Sequence, residues 1–203
     1  MISLEHEFIF IHINKNGGTS FEVALRPFET LPPIANNHDP AFLIRQKIGA
    51  ERFDRMESFA VVRNPFDRFV SSYEYRRQFL SPEHAPDDAI PPDMSFDDFL
   101  THWVTARPRN RELGPQHWFL TDPPGGDIVV KHIYEFEDGL DKTLASIKER
   151  CGLPDGIELP EKKVNQTRRR PWQEYYRGKP ELIDIVAQRC DTDRNLGYDL
   201  APF

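Results

Sequence analysis

Residues 8–25, FIFIHINKNGGTSFEVAL, join a short apolar run to a helical pattern through two adjacent glycines. A buried parallel strand that turns into a helix gives such a pattern. Unpaired N–H groups and the positive dipole end at a helix start attract an anion, and glycine lets the backbone approach it. Lys15 adds a positive charge, and Thr19 and Ser20 add hydroxyl donors. We call this predicted phosphate-binding loop, residues 14–20, the cradle.

The lysine of the cradle lies on the opposite side of the glycines from the lysine of an ordinary P-loop. A Walker A loop reads GxxxxGK[ST], with the lysine after the last glycine. Here Lys15 precedes Gly17 and Gly18. The spacing therefore argues against an ordinary P-loop nucleotidase and still predicts an anionic ligand.

Length and composition narrow the class of protein. The 203 residues contain no Ser/Gly-rich linker or change of composition, so we expect one domain over residues 1–203. A formal net charge of −7 argues against a nucleic-acid partner. The N-terminal MISLEHEF is acidic and lacks a long apolar run, so we expect neither a signal peptide nor an integral membrane segment, and a cytoplasmic location by default.

Strand and helix periods alternate along the chain, which predicts an α/β protein. The short apolar runs typical of buried strands lie at 8–13, 58–63 and 127–134. Helices are predicted at 18–26, 65–79, 138–151 and 179–190. Another helix is predicted to have Asp39 as its cap, Pro40 at its first position and Gly49 as its end, and one more is predicted to follow a capping box of Ser95 and Asp98. The proline- and aspartate-rich residues 81–94 are predicted to form a surface loop.

A second strand-to-helix turn lies in residues 59–75, FAVVRNPFDRFVSSYEY. The strand pattern ends at Arg63, and Pro65 opens a helix. If the two strands are parallel neighbours, Arg63 lies beside the cradle at the sheet edge where open α/β sheets bind ligands. Arg63 offers a planar fork to a phosphate, and Ser71 offers a hydroxyl one to two turns along the helix. Taken singly, each residue also has an interpretation without a ligand. Arg63 could form an ion pair with a nearby aspartate, and Ser71 could be a solvated helix position.

Both stretches resemble motifs of one enzyme family. NKNGGTSF resembles the 5′-phosphosulfate loop of sulfotransferases, and FAVVRNPFDRFVSSY resembles their 3′-phosphate motif. Weaker likeness lies in HDPAFLIRQKIG, IYEFEDGLDKTL, VNQTRRRPWQEYY and DRNLGYDL. The chain is similar to the carbohydrate-type sulfotransferases that include uronyl 2-O enzymes. This resemblance implies a P-loop, nucleotide-kinase-like three-layer sandwich with a central, mostly parallel sheet, which binds 3′-phosphoadenosine 5′-phosphosulfate (PAPS) without a metal.

The resemblance also assigns roles to individual residues. Lys15 would contact the bridging or 5′-phosphate oxygens and stabilise charge on the leaving nucleotide. Three further groups of residues would complete the donor site. The 5′ end of PAPS would bind to Asn16, Gly17, Gly18, Thr19 and Ser20, and its 3′-phosphate would bind to Arg63 and Ser71. A loop with Asn165, Thr167 and Arg168 would close over the nucleotide. Asn14 and Asn16 replace the usual proline and threonine, which predicts a less rigid loop.

A histidine is the predicted catalytic base, because its pKa lies near neutrality. His38 begins the segment that resembles the family's HxT region, and in relatives such a histidine faces the acceptor hydroxyl. Residues 39–40 are Asp-Pro where relatives have Ala-Thr, so a solvated loop histidine is the alternative. His117 is a second candidate base, and Glu135 or Glu137 could orient a base or bind the cradle lysine.

The predicted reaction is in-line transfer of a sulfuryl group from PAPS to an acceptor hydroxyl, with a carbohydrate or glycosylated small molecule as acceptor. Two arginine clusters, one at 107, 109 and 111 and one at 168–170, are either solvated or bind an anionic acceptor. One alternative is an ATP-dependent P-loop phosphotransferase, which the absence of GxxxxGK[ST] disfavours. The other is a non-catalytic nucleotide-binding module of the same fold. The sequence leaves the oligomeric state open.

Overall fold

The computed structural model describes residues 1–161 and 167–201. The chain divides into two units, and each unit is drawn from two separate segments. The first unit consists of Met1–Arg63 and Gln116–Val164, and the second of Asn64–Pro115 and Asn165–Phe203. A single domain over residues 1–203 stays a prediction.

The strands and helices alternate through much of the chain. Within the described residues the strands are β1 (Ile2–Ser3), β2 (Phe8–Ile11), β3 (Glu57–Val62) and β4 (His132–Glu135). The α-helices of the same ranges are α1 (Gly18–Leu25), α2 (Ala41–Ile48), α3 (Ala50–Arg55), α4 (Pro65–Phe79), α5 (Phe96–Asp98), α6 (His117–Leu120), α7 (Leu140–Cys151), α8 (Gln173–Tyr176) and α9 (Pro180–Arg189). A π-helix, Phe99–Val104, continues α5, and 3₁₀ turns cover Arg26–Phe28, Phe136–Asp138 and Asp191–Leu196.

The first unit contains a mostly parallel sheet in the order β1-β2-β3-β4. β1 is antiparallel to β2, whereas β2, β3 and β4 run parallel. Ile11 pairs with Ala60, and Val62 pairs with Glu135, so the three parallel strands end at the same edge. Every residue of β2 is buried, as expected for a strand covered on both faces. The predicted α/β class with a mostly parallel sheet is confirmed.

Aromatic and aliphatic side chains from the sheet, α1 and α7 form the core of the first unit. Phe10 of β2 packs against Phe21 of α1 with ring centroids 4.9 Å apart. Leu144 and Ile147 of α7 belong to the same buried cluster as Phe59 of β3. These contacts fix the start of α1 relative to the strand ends, and the cradle lies between the two.

In the second unit, α4 buries the apolar stripe that its sequence predicts. Phe66, Phe69, Val70 and Tyr73 are all buried in one cluster with residues of α8 and α9. Their spacing of three and four residues places them on one helix face.

Several polar residues of α4 are buried as well, which the stripe does not predict. Arg68 is fully buried, and it donates to the backbone carbonyls of Glu112 and Gly114. Ser72 donates to the Glu112 carboxylate at 3.0 Å, and Arg76 binds the same carboxylate. Because these groups have hydrogen-bond partners, their burial is tolerated.

Two predicted elements differ from the structure. Asp39 does not cap α2, because its carboxylate accepts instead from the Asn36 N–H at 2.8 Å and from Lys47 at 2.6 Å. The N-cap is Pro40. β4 begins at His132 rather than at residue 127, since Ile128 forms an isolated antiparallel bridge with Thr121.

None of the helices in residues 1–161 and 167–201 is long and apolar enough to span a membrane.

Replacing Phe21 with alanine tests the core of the first unit. Phe21 is fully buried, so Phe21→Ala should lower the free energy of unfolding by about 3–5 kcal/mol. Val23 lies on the same helix with 45% exposure, and Val23→Ala should change that free energy by less than about 0.5 kcal/mol. Urea denaturation of both variants measures the difference, and equal losses would contradict this packing.

Candidate active site

The backbone of the cradle has the geometry of an anion-binding nest. The angle φ is positive at Lys15 (68°) and at Gly17 (78°), but not at Asn16 or Gly18. Such alternation turns successive N–H groups toward the same side of the chain, where they form a concave site for an anion. Gly17 is the N-cap of α1 and supplies no capping side chain. The first N–H groups of α1 and the helix dipole can therefore serve an anion.

The side chain of Asn16 anchors the cradle to the end of β3. Its Nδ2 donates to the Val61 carbonyl at 2.8 Å and to Oε1 of Gln116 at 2.7 Å. Asn16 is 1% exposed, so its side chain faces the interior and supports the loop from behind. The sequence predicts a less rigid loop because Asn14 and Asn16 replace the family's proline and threonine, but the two buried hydrogen bonds of Asn16 restrain it. A direct donor contact of Asn16 stays a prediction.

Arg63, at the end of β3, contacts the cradle directly. Its Nη1 donates to the Lys15 carbonyl at 2.7 Å, and its guanidinium lies 4.1 Å from the ring centroid of Phe136. Gln116 fixes the Arg63 backbone by accepting from its N–H at 2.8 Å and donating to its carbonyl at 2.7 Å. The parallel sheet thus brings Arg63 to the same edge as Lys15, as the sequence predicts.

The two glycines of the cradle occupy positions where a side chain would collide with its neighbours. A Cβ on Gly17 would lie 2.6 Å from Cδ1 of Leu140, and one on Gly18 would lie 2.1 Å from Cδ2 of His12. His12 in turn donates from Nδ1 to Glu22 of α1 at 2.7 Å. The buried His12 ring therefore fills the space beside the cradle and holds the start of α1 in place.

The contact with His12 also affects the titration of Glu22. Partial burial alone would raise the pKa of Glu22, but the hydrogen bond from His12 and the electrostatic interaction with that neighbouring ring lower it below its usual range. Glu22 is therefore ionised at neutral pH and fixes the His12 ring as a hydrogen-bond donor at Nδ1.

His38 lies against His12 on the same side of the sheet edge. The two ring centroids are 4.2 Å apart, and Nδ1 of His38 is 3.1 Å from the His12 carbonyl. A carbonyl oxygen only accepts, so Nδ1 carries the proton and Nε2 has the lone pair when the ring is neutral. The backbone at His38 has φ of 66°, a conformation that non-glycine residues seldom adopt. His38 is half-buried, and its neutral ring carries the proton on Nδ1.

The remaining predicted site residues lie in both units. In the first unit, Thr19 and Ser20 lie in the first turn of α1. His117 is 5% exposed, whereas Glu135 and Glu137 are exposed. In the second unit, Ser71 is buried in α4, Thr167 is half-buried, and Arg168 is exposed with its backbone bound at both N–H and C=O by the Gln78 side chain. Asn165 lies outside the described residues. Within the described residues no group of three or more His, Cys, Asp or Glu side chains is placed to hold a metal.

Sequence reasoning missed Gln116 and Glu22. Gln116 lies in a segment without a recognised motif, 53 residues from Arg63 and 100 from Asn16. Glu22 stands at an ordinary helix position. Neither residue type signals a binding role by itself, so only the folded contacts identify them as supports of the cradle.

The fold and the site define an α/β protein with a glycine-containing, nest-like loop at the carboxyl edge of a mostly parallel sheet. A sequence profile described as the sulfotransferase family matches residues 1–195. An uncharacterized protein of Archaeoglobus fulgidus is 26% identical over 121 residues, which cover 59% of this chain and 88% of that relative. No solved structure matches the chain. The chain belongs to the sulfotransferase family, and this membership supports transfer of a sulfuryl group from a sulfate donor to a hydroxyl acceptor.

Gly18→Ala tests the packing behind the cradle. The added Cβ would overlap the His12 ring, so the variant should lose about 1–3 kcal/mol of unfolding free energy. A Cβ on Gly156 would meet no atom within 4 Å, so Gly156→Ala should cost less than about 0.5 kcal/mol.

A double-mutant cycle identifies the cause of that loss. If the His12 ring is responsible, Gly18→Ala should cost less in a His12→Ala background, because the alanine leaves room for the added methyl group. Chemical denaturation of the four proteins gives the coupling energy. An unchanged cost in the His12→Ala background would exclude the overlap as the cause.

Proposed function

We propose that the chain transfers the sulfuryl group of PAPS to a hydroxyl of a carbohydrate or glycosylated small molecule. The observation that supports this proposal most is the contact between Arg63 and the nest of the cradle. PAPS carries a 5′-phosphosulfate and a 3′-phosphate on the same ribose, so a protein that binds it needs two neighbouring anion sites. A nest with an adjacent buried guanidinium at one sheet edge suits such a ligand. The proposal includes a nucleotide-kinase-like three-layer fold.

The cradle would hold the 5′ end of the donor. The N–H groups around Gly17 and Gly18 and the hydroxyls of Thr19 and Ser20 offer donors to the phosphosulfate. Lys15 would stabilise the negative charge that grows on the 5′-phosphate as the sulfur–oxygen bond breaks. Because Asn16, Gln116 and Arg63 hold the loop backbone, these donors need little rearrangement when charge develops.

Arg63 would hold the 3′-phosphate, as the sequence motif predicts. A guanidinium presents its N–H donors in a planar fork, and Nη1 of Arg63 donates to the Lys15 carbonyl. That hydrogen bond fixes the direction of the fork, which lowers the entropy lost when a phosphate binds. Ser71, Thr167 and Arg168 stay predictions from the sequence for the same nucleotide.

His38 would act as the general base. The acceptor hydroxyl oxygen attacks the sulfur of PAPS, the bond from sulfur to the 5′-phosphate oxygen breaks, and the hydroxyl proton moves to Nε2 of His38. The products are the sulfate ester and adenosine 3′,5′-bisphosphate. The hydrogen bond from Nδ1 to the His12 carbonyl supports this role, since it leaves the lone pair on Nε2 and stabilises the imidazolium that forms. The deeper burial of His117 makes it the weaker candidate.

The test is transfer of labelled sulfate from PAPS across a panel of hydroxyl acceptors, with labelled ATP as the competing donor. We expect sulfate transfer to at least one sugar acceptor and no phosphate transfer. His38→Ala should lower kcat about 10²- to 10⁴-fold, with the affinity for adenosine 3′,5′-bisphosphate unchanged. His6, also half-buried, provides the control, and His6→Ala should keep the wild-type rate. Transfer from ATP, or a His38→Ala rate equal to that of wild type, would contradict the proposal.

A further inference from the structure

One carboxylate and two imidazoles lie together beside the cradle, all of them in the first unit. We call Glu22, His12 and His38 the histidine cluster. His12 donates from Nδ1 to Oε1 of Glu22 at 2.7 Å, and its ring centroid lies 4.2 Å from that of His38. The side chains of His12 and Glu22 are 6% and 14% exposed, so water screens their charges only weakly. The location of each proton in the cluster therefore affects its neighbours.

The two imidazole rings of the histidine cluster are too close for both to carry a charge readily. Like charges about 4 Å apart in a partly buried site disfavour each other. Lys15, three residues after His12, adds a further positive charge to this part of the chain. Glu22 supplies one negative charge, so the cluster can compensate one added proton and not two.

The start of α1 opposes an added proton on His12. Its Nδ1 hydrogen is held by Glu22, so a further proton would go to Nε2. A Cβ on Gly18 would lie 2.4 Å from this Nε2, which places the nitrogen against the first residue of α1. The positive end of the helix dipole lies there and disfavours an imidazolium. These contacts favour a neutral His12, which leaves the charge of Glu22 to act on His38.

The titration of Glu22 responds to both histidines. Burial, the strongest single influence, would raise the pKa of Glu22, but the hydrogen bond from His12 and the electrostatic interactions with His12 and then His38 lower it overall. An interaction that favours the charged form of a carboxyl favours the charged form of its partner equally. Glu22 therefore stabilises a protonated His38.

Other charged groups also lie near the histidine cluster. The amino group of Met1 interacts electrostatically with Glu22, Glu29 and Asp39. Burial lowers the pKa of this amino group, so it loses its proton more readily than an ordinary amino terminus. Asp39 is paired with Lys47 at 2.6 Å. The charge of Asp39 is thus matched by a lysine, and Glu22 is the carboxylate that is hydrogen-bonded within the cluster.

We propose that Glu22 is a positioning residue for proton removal, whose carboxylate fixes the His12 ring and compensates the positive charge that His38 gains from the acceptor hydroxyl. The inference rests on the proposed function, in which His38 is the base. The proton passes from the hydroxyl oxygen to Nε2 of His38 as that oxygen attacks sulfur, and the imidazolium later returns it to water. Glu22 stays ionised throughout and takes up no proton.

NMR titration of the histidine rings tests the electrostatic part of the proposal, with His38→Ala to assign the signal. In the wild type, His12 should keep Nε2 unprotonated over the pH range in which His38 titrates. Glu22→Gln keeps an acceptor oxygen for His12 and removes the charge, so His38 should take up its proton at a pH about 0.5–1 unit lower. An unchanged His38 midpoint in this variant, or a His12 ring that takes up the proton first, would overturn the proposal.

Glu149→Gln is the matched control for that titration. Glu149 is exposed in the last turn of α7, and the variant loses the same charge outside the cluster. It should move the His38 midpoint by less than about 0.2 pH unit, because an exposed charge is screened by water and salt. Equal shifts in Glu149→Gln and Glu22→Gln would reduce the effect to net charge and overturn the proposal.

The pH dependence of sulfate transfer tests the consequence for the reaction. In Glu22→Gln the rise of kcat/KM with pH should lie about 0.5–1 pH unit lower, and the plateau of kcat should fall about 3- to 30-fold because the base is weaker. Glu22→Ala also removes the acceptor oxygen, and thermal melting confirms that each variant is folded. If Glu22→Gln matched the wild type and only Glu22→Ala lost activity, the role of Glu22 would be structural and the proposal would be wrong.

The two measurements separate this inference from the function on which it rests. A shifted His38 midpoint without sulfate transfer from PAPS would refute the proposed function and leave the electrostatic coupling in place. Transfer that depends on His38 but keeps the wild-type pH profile in Glu22→Gln would support the function and overturn this inference.

Discussion

The Gln116 side chain joins the end of β3 to the cradle, since it binds the backbone of Arg63 on both sides and accepts from Asn16. All three residues are buried, so each lost hydrogen bond would leave an unsatisfied polar group that costs about 1–3 kcal/mol. The nest at Lys15 and Gly17 keeps its shape because these buried bonds and the Arg63 contact hold the loop from behind. The shape of the proposed anion site therefore depends on amide hydrogen bonds behind the loop.

A second support comes from α1. The His12 ring fills the space where a side chain at residue 18 would stand, and Glu22 of the same helix holds that ring by a hydrogen bond. His38 packs on the same ring and takes its tautomer from the His12 carbonyl. One buried histidine thus contacts both the start of α1 and the proposed base.

Local sequence pattern was enough to predict the parts of this arrangement that depend on neighbouring residues. The apolar runs ending before the cradle and at Arg63 locate two parallel strand ends, and the glycine pair locates the helix start between them. The start of β4 and the cap of α2 were misplaced because an isolated bridge at Ile128 and the ion pair of Asp39 with Lys47 override local preference. Gln116 and Glu22 could not be predicted, since a single amide or carboxylate acquires its role only from its partners in the folded chain. The roles of Ser71, Asn165, Thr167 and Arg168 in nucleotide binding remain sequence-based predictions.

Above all, we propose that the cradle and Arg63 together recognise a nucleotide phosphorylated at both the 5′ and 3′ positions. Isothermal titration of the wild-type protein with adenosine 3′,5′-bisphosphate, adenosine 5′-phosphate and ATP with Mg²⁺ is the decisive experiment. We expect the bisphosphate to bind at least about tenfold more tightly than either other nucleotide, because only its 3′-phosphate can form charge-assisted hydrogen bonds with the Arg63 guanidinium. Equal affinity for adenosine 3′,5′-bisphosphate and adenosine 5′-phosphate, or tighter binding of ATP with Mg²⁺, would show that Arg63 does not recognise a 3′-phosphate.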